Sequence, residues 1–389
     1  MRVLFVTNGH GEIAIADRIA QELHAIDARV QIDHFPLVGE SRAAFMHEVG
    51  PRRAMPSGGL IAMGNVRNIA RDLRGGLLVL TFAQRRFLVQ ARGTYQRVIA
   101  VGDVYALLMA LAAHAPATYV GTAKSVRVAP YGPFERSVLR RADAVFVRDE
   151  ATAIALRAHG VEAQAPGNVI VDLYGDDDPR ADAVAAGFAP VLAIFPGSRT
   201  SAYADARFLL ELVRRVASGR AQLGAMLSLA PLLDPAIFIA GFREDGWQVE
   251  AHSDERMPFS LVHEGRTIAR AWRGAIGPLL ARAQLVLGQA GTANEAAAAA
   301  GVPIVAFERD RDRKTAWYRM RQHGLLGDAL LVLPGDLAQA TAGVRALLDD
   351  ADRRAAMSME GRERMGGSGG ARAIAETLLG EARQGEAHP

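Results

Sequence analysis

Apolar residues recur along the chain in two rhythms, as short solid runs and as stripes at helical spacing. Val3–Val6 is a solid run and predicts a buried strand over Arg2–Val6. A Gly-rich turn, Thr7–Glu12, follows it. Ala16, Ile19, Ala20 and Leu23 then share one face, predicting an amphipathic helix over Ile13–His24. Val30–His34 reads as a second strand. Residues 36–64 hold many Gly and Pro and read as a long loop, a feature that often carries function. Arg97–Val101 is a further strand, leading through Gly102 and Asp103 into an apolar helix from Tyr105. Tyr119–Gly121, Ala144–Val147 and the segment near Val161 predict short strands, with a helix over Glu150–His159.

Residues 175–190 are acidic, small and Pro-bearing, and they predict a linker. The strand–helix alternation then resumes. A strand over Val191–Phe195 enters Pro196-Gly197-Ser198-Arg199, followed by a helix from about Ala204 to Ala217 and a strand near Leu223–Leu229. Weaker elements run to about 270, then a helix over 276–282. Leu285–Leu287 is an apolar strand that meets a Gly-rich turn and an Ala-rich helix, which Gly301 can end. Pro303 leads into the strand Ile304–Phe307. Residues 337–350 and 352–384 are helical, with one polar face. Both halves therefore predict an α/β fold with parallel sheets.

A length of 389 residues fits two domains, and 50% apolar with 22% charged residues is a globular balance. The absence of cysteine excludes disulfides and thiolate metal sites. The longest apolar run, Val104–Ala113, is half of the roughly 20 residues that cross a bilayer. The run Val3–Val6 is too short for a signal peptide, so a cytoplasmic protein is expected.

Net charge is +3, and Lys124 and Lys314 are the only lysines among 45 basic residues. Arginines are dense over 67–97 and 127–148. Any single one reads best as part of a solvated helix face. The group Arg67, Arg71, Arg74, Arg85, Arg86 and Arg92 is interleaved with Leu73, Leu77, Leu78, Leu80, Phe82, Phe87 and Leu88. That pattern fits a peripheral helix pair resting on anionic lipid, so the segment 67–97 is expected to meet an anionic membrane surface. Nucleic acid is not expected, because no nucleic-acid motif accompanies the charge.

The turn at 288–295 carries the strongest chemical signal. It leaves backbone N–H groups and a helix N-terminus where a phosphate can sit, and Glu295 stands one turn in, within reach of a ribose. After the strand Val191–Phe195, Gly197 allows close backbone approach, Ser198 can cap the next segment and Arg199 can grip a phosphate in a two-pronged fork. Two such loops at neighbouring strand ends suit a nucleoside diphosphate. In the first half, Gly9–Ala14 matches G-x-G-x-x-A, with Asp33 at the spacing of a ribose-binding acid. His10 inside that turn reads equally as a general base and as a turn residue bonded to a carbonyl. Asp103, at a strand's carboxyl end, reads as a base or as a helix cap. Asp176–Asp178 contains D-x-D but reads as a solvated turn, so no metal is expected. Arg313 or Lys314, beside the main turn, can reach a substrate phosphate.

These pieces resemble the lipid-A-disaccharide synthase family, and more closely its lipid-A-disaccharide synthase-related branch. The carrying segments are Val6–Glu12, Val101–Asp103, Gly121–Ser125, Tyr131–Glu135, Gly167–Asp172, Pro196–Arg199 and Gly291–Glu295, spread over nearly the whole chain. The last two are shared with the wider set of inverting glycosyltransferases of the GT-B fold. The resemblance implies two Rossmann-like domains facing a cleft, with C-terminal helices crossing back to the first. Expected boundaries are 1–180 for an acceptor-side domain, 188–340 for a nucleotide-sugar domain and 341–384 for the returning helices.

The resemblance further implies transfer of a sugar from a UDP-sugar to a lipid-linked acceptor, with no cofactor and no metal. Glu295 would take the ribose hydroxyls. Ser198, Gly291 and Thr292 would face the diphosphate, within a donor site of Gly197, Ser198, Arg199, Gln289, Gly291, Thr292, Ala293, Asn294 and Glu295. Asp103 and His10 would be the catalytic pair of candidates. The chain departs from the synthases proper in its Asn-Gly-His-Gly-Glu turn and in the Arg-rich segment 60–97, which leaves the acceptor open. The competing expectations are a UDP-sugar epimerase of the same build, an NAD-dependent oxidoreductase using Gly9–Ala14 and Asp33, and a non-catalytic sensor of nucleotide sugars. The protein is expected to sit peripherally at the inner face of the cytoplasmic membrane.

Overall fold

The computed structural model describes residues 1–37, 43–52, 76–122, 124–175, 178–309 and 313–386. They divide into two compact units. The first comprises Met1–Leu173 with the C-terminal segment from Gly366, and the second comprises Tyr174–Met365.

The first unit is built on a parallel sheet of seven strands: β1 (Arg2–Thr7), β2 (Gln31–Pro36), β3 (His47–Glu48), β4 (Arg97–Gly102), β5 (Ala117–Gly121), β6 (Ala144–Val147) and β7 (Ala163–Gln164). Their order is β3-β2-β1-β4-β5-β6-β7. Side chains alternate across it as a strand requires. Val3 and Phe5 pack on one face with Ile15, Ile19 and Leu23 of the helix His10–Ile26. Leu4 and Val6 pack on the other with Leu88, Val104 and Leu107. The order reverses between β1 and β4, and at such a reversal the carboxyl ends of the strands open a crevice.

The helix Gly370–Glu386 belongs to this first unit, where Ile374 and Leu378 join the face occupied by Val3 and Phe5. Asp172 holds its start by accepting from the amides of Gly369 (2.6 Å) and Ala371 (2.8 Å). The helices Leu337–Asp349 and Ala351–Met365 lie within the second unit instead, so the segment expected as one returning block is divided at Gly366.

The second unit has eight strands: β8 (Val191–Phe195), β9 (Gly224–Ser228), β10 (Gln248–Ala251), β11 (Phe259–His263), β12 (Arg266–Trp272), β13 (Leu285–Gly288), β14 (Ile304–Glu308) and β15 (Leu330–Pro334). Their order is β10-β11-β12-β9-β8-β13-β14-β15. The sheet is parallel except where β11 runs antiparallel to both β10 and β12. Those three strands fill the stretch that sequence pattern left weak. The helix Ser201–Ala217 covers the sheet with Leu209, Leu210, Val213 and Val216, all fully buried. Gly301 ends the helix Thr292–Ala300 in the left-handed conformation (φ 73°) that favours glycine. The expected linker carries a helix of its own, Arg180–Ala185, with Ala181 and Val184 buried.

His34 on β2 is fully buried beside Thr7 Oγ1 (2.8 Å), and burial lowers its pKa from 6.5 to about 4. A depressed histidine leaves the folded state neutral while the unfolded chain takes up a proton. Stability is therefore unaffected above pH 6.5 and falls as pH drops towards 4, by about 3 kcal/mol if the whole shift is realised. The expected result is a urea midpoint that declines less steeply over this range in His34→Gln than in the wild type. Parallel declines would contradict the assignment.

Candidate functional site

The two loops singled out in the second half start from paired residues. Phe195 ends β8 and Gly288 ends β13, and the two are register partners. The amide of Gln289 donates to Phe195 O (2.9 Å), so the turns 196–200 and 289–291 leave the sheet side by side. This is where the order of the second sheet reverses, between β8 and β13.

In the first turn, Gly197 has φ 116°, a conformation that would strain any other residue. Ser198 and Arg199 are exposed, and Arg199 forms no ion pair among the described residues. The following helix has Thr200 at its N-cap with no side-chain cap, so Ser198 does not take the capping role expected of it. In the second turn, Gly291 and Thr292 are exposed. Among the described residues, the backbone N–H groups of Ser198, Arg199, Gly291, Thr292 and Ala293 make no hydrogen bond. Free amides, a helix N-terminus and an unpaired guanidinium together favour an anion. Glu295 lies half-buried in the first turn of the helix Thr292–Ala300.

Two expected donor-site residues have their side chains committed elsewhere. Asn294 is fully buried, and its Nδ2 donates to Gly288 O (3.3 Å) and Gln322 Oε1 (3.4 Å). Gln289 Nε2 donates to Phe307 O (3.0 Å), and its Oε1 accepts from Arg319. Both side chains hold the turn in shape. Sequence reasoning missed Arg319 and Gln322, which lie on the helix Arg313–Leu326 more than twenty residues beyond the turn they brace. Arg313 and Lys314 open that helix, and their side chains lie outside the described residues.

In the first unit, Asp103 stands at the carboxyl end of β4, exposed to solvent. Its Oδ1 accepts from the amide of Ala106 (3.1 Å), capping the helix Val104–Ala110, and its Oδ2 accepts from Asn8 Nδ2 (2.6 Å). The cap and a reactive carboxylate are therefore compatible, since an exposed carboxylate has acceptor capacity beyond two bonds. Asn8 follows β1, so the contact spans the reversal point of the sheet. His10 is the first residue of the helix His10–Ile26, and its side chain lies outside the described residues.

Tyr119 on β5 donates to Gly102 O (2.9 Å) and lies 3.3 Å from the Tyr131 hydroxyl. Burial pushes the Tyr131 phenol up to about 12, so it stays protonated throughout the neutral range. Lys124 lies close by, paired with Glu135 at 2.6 Å.

A dinucleotide reading of Gly9–Ala14 meets two obstacles. Glu12 lies against Gly9 and Gly102: a Cβ on Gly9 would come within 2.5 Å of Glu12 Oε2, and one on Gly102 within 2.8 Å of Glu12 Cγ. The chain thus places its own carboxylate at the helix start where a pyrophosphate would bind. Asp33 lies inside β2 and not at its end, and it is buried. It accepts from Arg2 (2.7 Å) and from the Tyr95 hydroxyl (2.9 Å). It is a structural anchor and not a ribose ligand.

The D-x-D segment is partly outside the described residues, at 176–177. Its last member, Asp178, pairs with Arg180 (2.7 Å) and Arg256 (3.3 Å), and the Arg180 hydrogen bond lowers its carboxyl pKa to about 2. Among the described residues, no group of three or more His, Asp or Glu is placed to hold a metal ion.

Known structures share this architecture across almost the whole chain. A chain from Listeria monocytogenes assigned as a UDP-N-acetylglucosamine 2-epimerase superposes with a TM-score of 0.61 at 14% identity, covering 98% of this chain and 97% of that one. The UDP-GlcNAc 2-epimerase of Neisseria meningitidis, solved with UDP-GlcNAc bound, gives 0.54 at 13% identity, covering 97% and 100%. MurG of Acinetobacter baumannii gives 0.54 at 14% identity, covering 97% and 99%. No family model matches the sequence, and no curated protein matches it either. The likeness is one of fold: two Rossmann-like α/β domains of the GT-B type. The narrower resemblance to lipid-A-disaccharide synthases has its support in the sequence motifs.

Proposed function

We propose that the protein is a metal-independent, inverting glycosyltransferase that moves a sugar from a UDP-sugar to a lipid-linked acceptor. The observation that carries this reading is the pair of adjacent turns in the second unit, with free amides and Arg199, at the reversal point of the sheet. Such a site can meet the charge of a leaving diphosphate without a cation. Glu295 would hold the ribose. The first unit would supply the base, Asp103 or His10, to deprotonate the acceptor hydroxyl. One structural neighbour bearing UDP-GlcNAc and another bearing UDP support the choice of nucleotide.

The lipid half of the reading draws support from the helix Leu77–Gln90. Val79 and Phe82 are 75% and 72% exposed, Leu78 and Val89 are exposed beside them, and Arg85, Arg86 and Arg92 are exposed too. Leu80 and Leu88 instead face the core, and Phe87 packs on Phe35, so the apolar surface is narrower than sequence suggested. Arg67, Arg71 and Arg74 lie outside the described residues. No described helix is long and apolar enough to cross a membrane. Apolar side chains flanked by arginines favour an anionic interface. The double substitution Leu78→Ser with Phe82→Ser is expected to lower co-sedimentation with phosphatidylglycerol vesicles about tenfold. Unchanged co-sedimentation would contradict the membrane contact.

A second reading, a UDP-sugar epimerase, is favoured by the neighbours that carry that name. One experiment separates the two. The protein is incubated with UDP-sugars with and without a membrane lipid extract, and both UDP release and sugar configuration are followed. Lipid-dependent UDP release supports transfer. Conversion of the sugar without lipid supports epimerisation and overturns the transferase reading.

A further inference from the structure

Arg319 is the least expected charge in the second unit. Its guanidinium is half-buried, its Nε is buried without a hydrogen bond, and its terminal nitrogens donate to Gln289 Oε1 and to Gln322 Oε1 (3.1 Å). Among the described residues it forms no ion pair. Asp205, which is bound to Arg309 at 2.5 Å, and Glu308 favour its charge without a direct ion pair. Burial lowers the Arg319 pKa from its usual value, yet an arginine stays charged at any ordinary pH. A permanent charge is thus partly drawn out of water, with direct hydrogen bonds only to two neutral amides, so a further anion nearby would stabilise it.

The surroundings say where that partner belongs. Gln322 Nε2 donates to Ala290 O (3.1 Å) and Gly291 O (3.3 Å). A trans peptide points its N–H opposite to its C=O. Fixing those two carbonyls towards Gln322 therefore turns the amides of Gly291 and Thr292 away from the helix, to the side left free of hydrogen bonds. Gln289, gripped by Arg319, is tied in turn to Phe307 O on β14. Arg319, Gln322 and Gln289 thus form a bracket behind the turn, with a positive charge behind and free amides in front.

We infer that Arg319 is the positioning residue and charge source of a diphosphate site at the Gln289–Thr292 turn, and that the anion it completes is that of a nucleoside diphosphate. This rests on the reading of the second unit as a nucleotide-sugar site, but it concerns the phosphate alone. Arg319 acts through the turn it clamps and through its field; no direct contact with the ligand is required. The sequence offered Arg313 and Lys314 for this task because they lie nearer the strand end. The bracket places Arg319 there, six residues further along the helix.

The test compares Arg319→Met and Arg319→Lys with the wild type by titration calorimetry, using inorganic pyrophosphate, UDP and uridine. Thermal unfolding confirms that each variant is folded. The Met variant is expected to lose about tenfold or more in affinity for pyrophosphate and UDP, with uridine unchanged, and Lys is expected to recover part of that loss. Three results would overturn the inference: pyrophosphate affinity unchanged in the Met variant, an equal loss for uridine and UDP, or no recovery with Lys. A wild type that binds pyrophosphate but not UDP would keep the phosphate site and remove the nucleotide reading. A wild type that binds neither overturns both.

Discussion

Asp103→Asn is expected to reduce sugar transfer by about two to four orders of magnitude while leaving UDP affinity within about twofold of the wild type. The substitution is close to isosteric, and asparagine is as good an N-cap as aspartate, so the helix Val104–Ala110 keeps its start. Asn8 can turn its amide over to meet the new side chain, since its Oδ1 is buried without a partner and gains one in doing so. What disappears is the negative charge and the capacity to take a proton. The loss should therefore fall on the chemical step and spare donor binding, which the account assigns to the second unit. UDP release from UDP-sugars in the presence of lipid extract gives the rate, and calorimetry gives the affinity. His10→Ala is the companion variant. Full activity in one of the two assigns the base to the other, and full activity in both would sink the mechanism.

Glu295→Ala is expected to weaken UDP binding by about ten- to a hundredfold. Hydrogen bonds from two ribose hydroxyls to a carboxylate are worth roughly 1.5–3 kcal/mol, which converts to that range. The position supports the role, because Glu295 is half-buried one turn into the helix whose first amides are free. The prediction has an internal control. Pyrophosphate, which has no ribose, should bind Glu295→Ala as it binds the wild type. Deoxy-UDP lacking the 2′-hydroxyl should bind the wild type more weakly than UDP, with the difference shrinking in the variant. An equal loss for pyrophosphate and UDP would make Glu295 a structural residue of the turn.

The elements that could be read from sequence are those whose signal is local. β1, β4, β8 and β13 are solid apolar runs; β1, β8 and β13 lead into turns that contain glycine, and β4 ends on Gly102 itself. Gly301 marks its helix end through a conformation that glycine alone adopts cheaply. The G-T-A-N-E and P-G-S-R turns were visible because their residues are turn formers directly behind strands. What stayed hidden depends on partners far along the chain. Asp172 caps a helix that begins nearly two hundred residues later. The antiparallel strands β10 to β12 mix exposed polar with buried positions, so no single period dominates. Asp33 has the spacing of a ribose ligand, yet Arg2 and Tyr95 consume its carboxylate. Asn294 looks like a ligand residue in the motif, and only packing against Gly288 shows it facing inward. Arg319 gave no local signal among 45 basic residues, because its distinction is the burial of its charge.

The proposed function requires that the second unit receive a uridine nucleotide at the turns 196–200 and 289–291. Titration calorimetry of the wild-type protein with UDP, ADP, GDP and NADH tests it most directly. Saturable binding of UDP is expected, with ADP, GDP and NADH weaker by about tenfold or more. Absence of UDP binding, or a preference for NADH, would contradict it and return attention to the turn Gly9–Ala14.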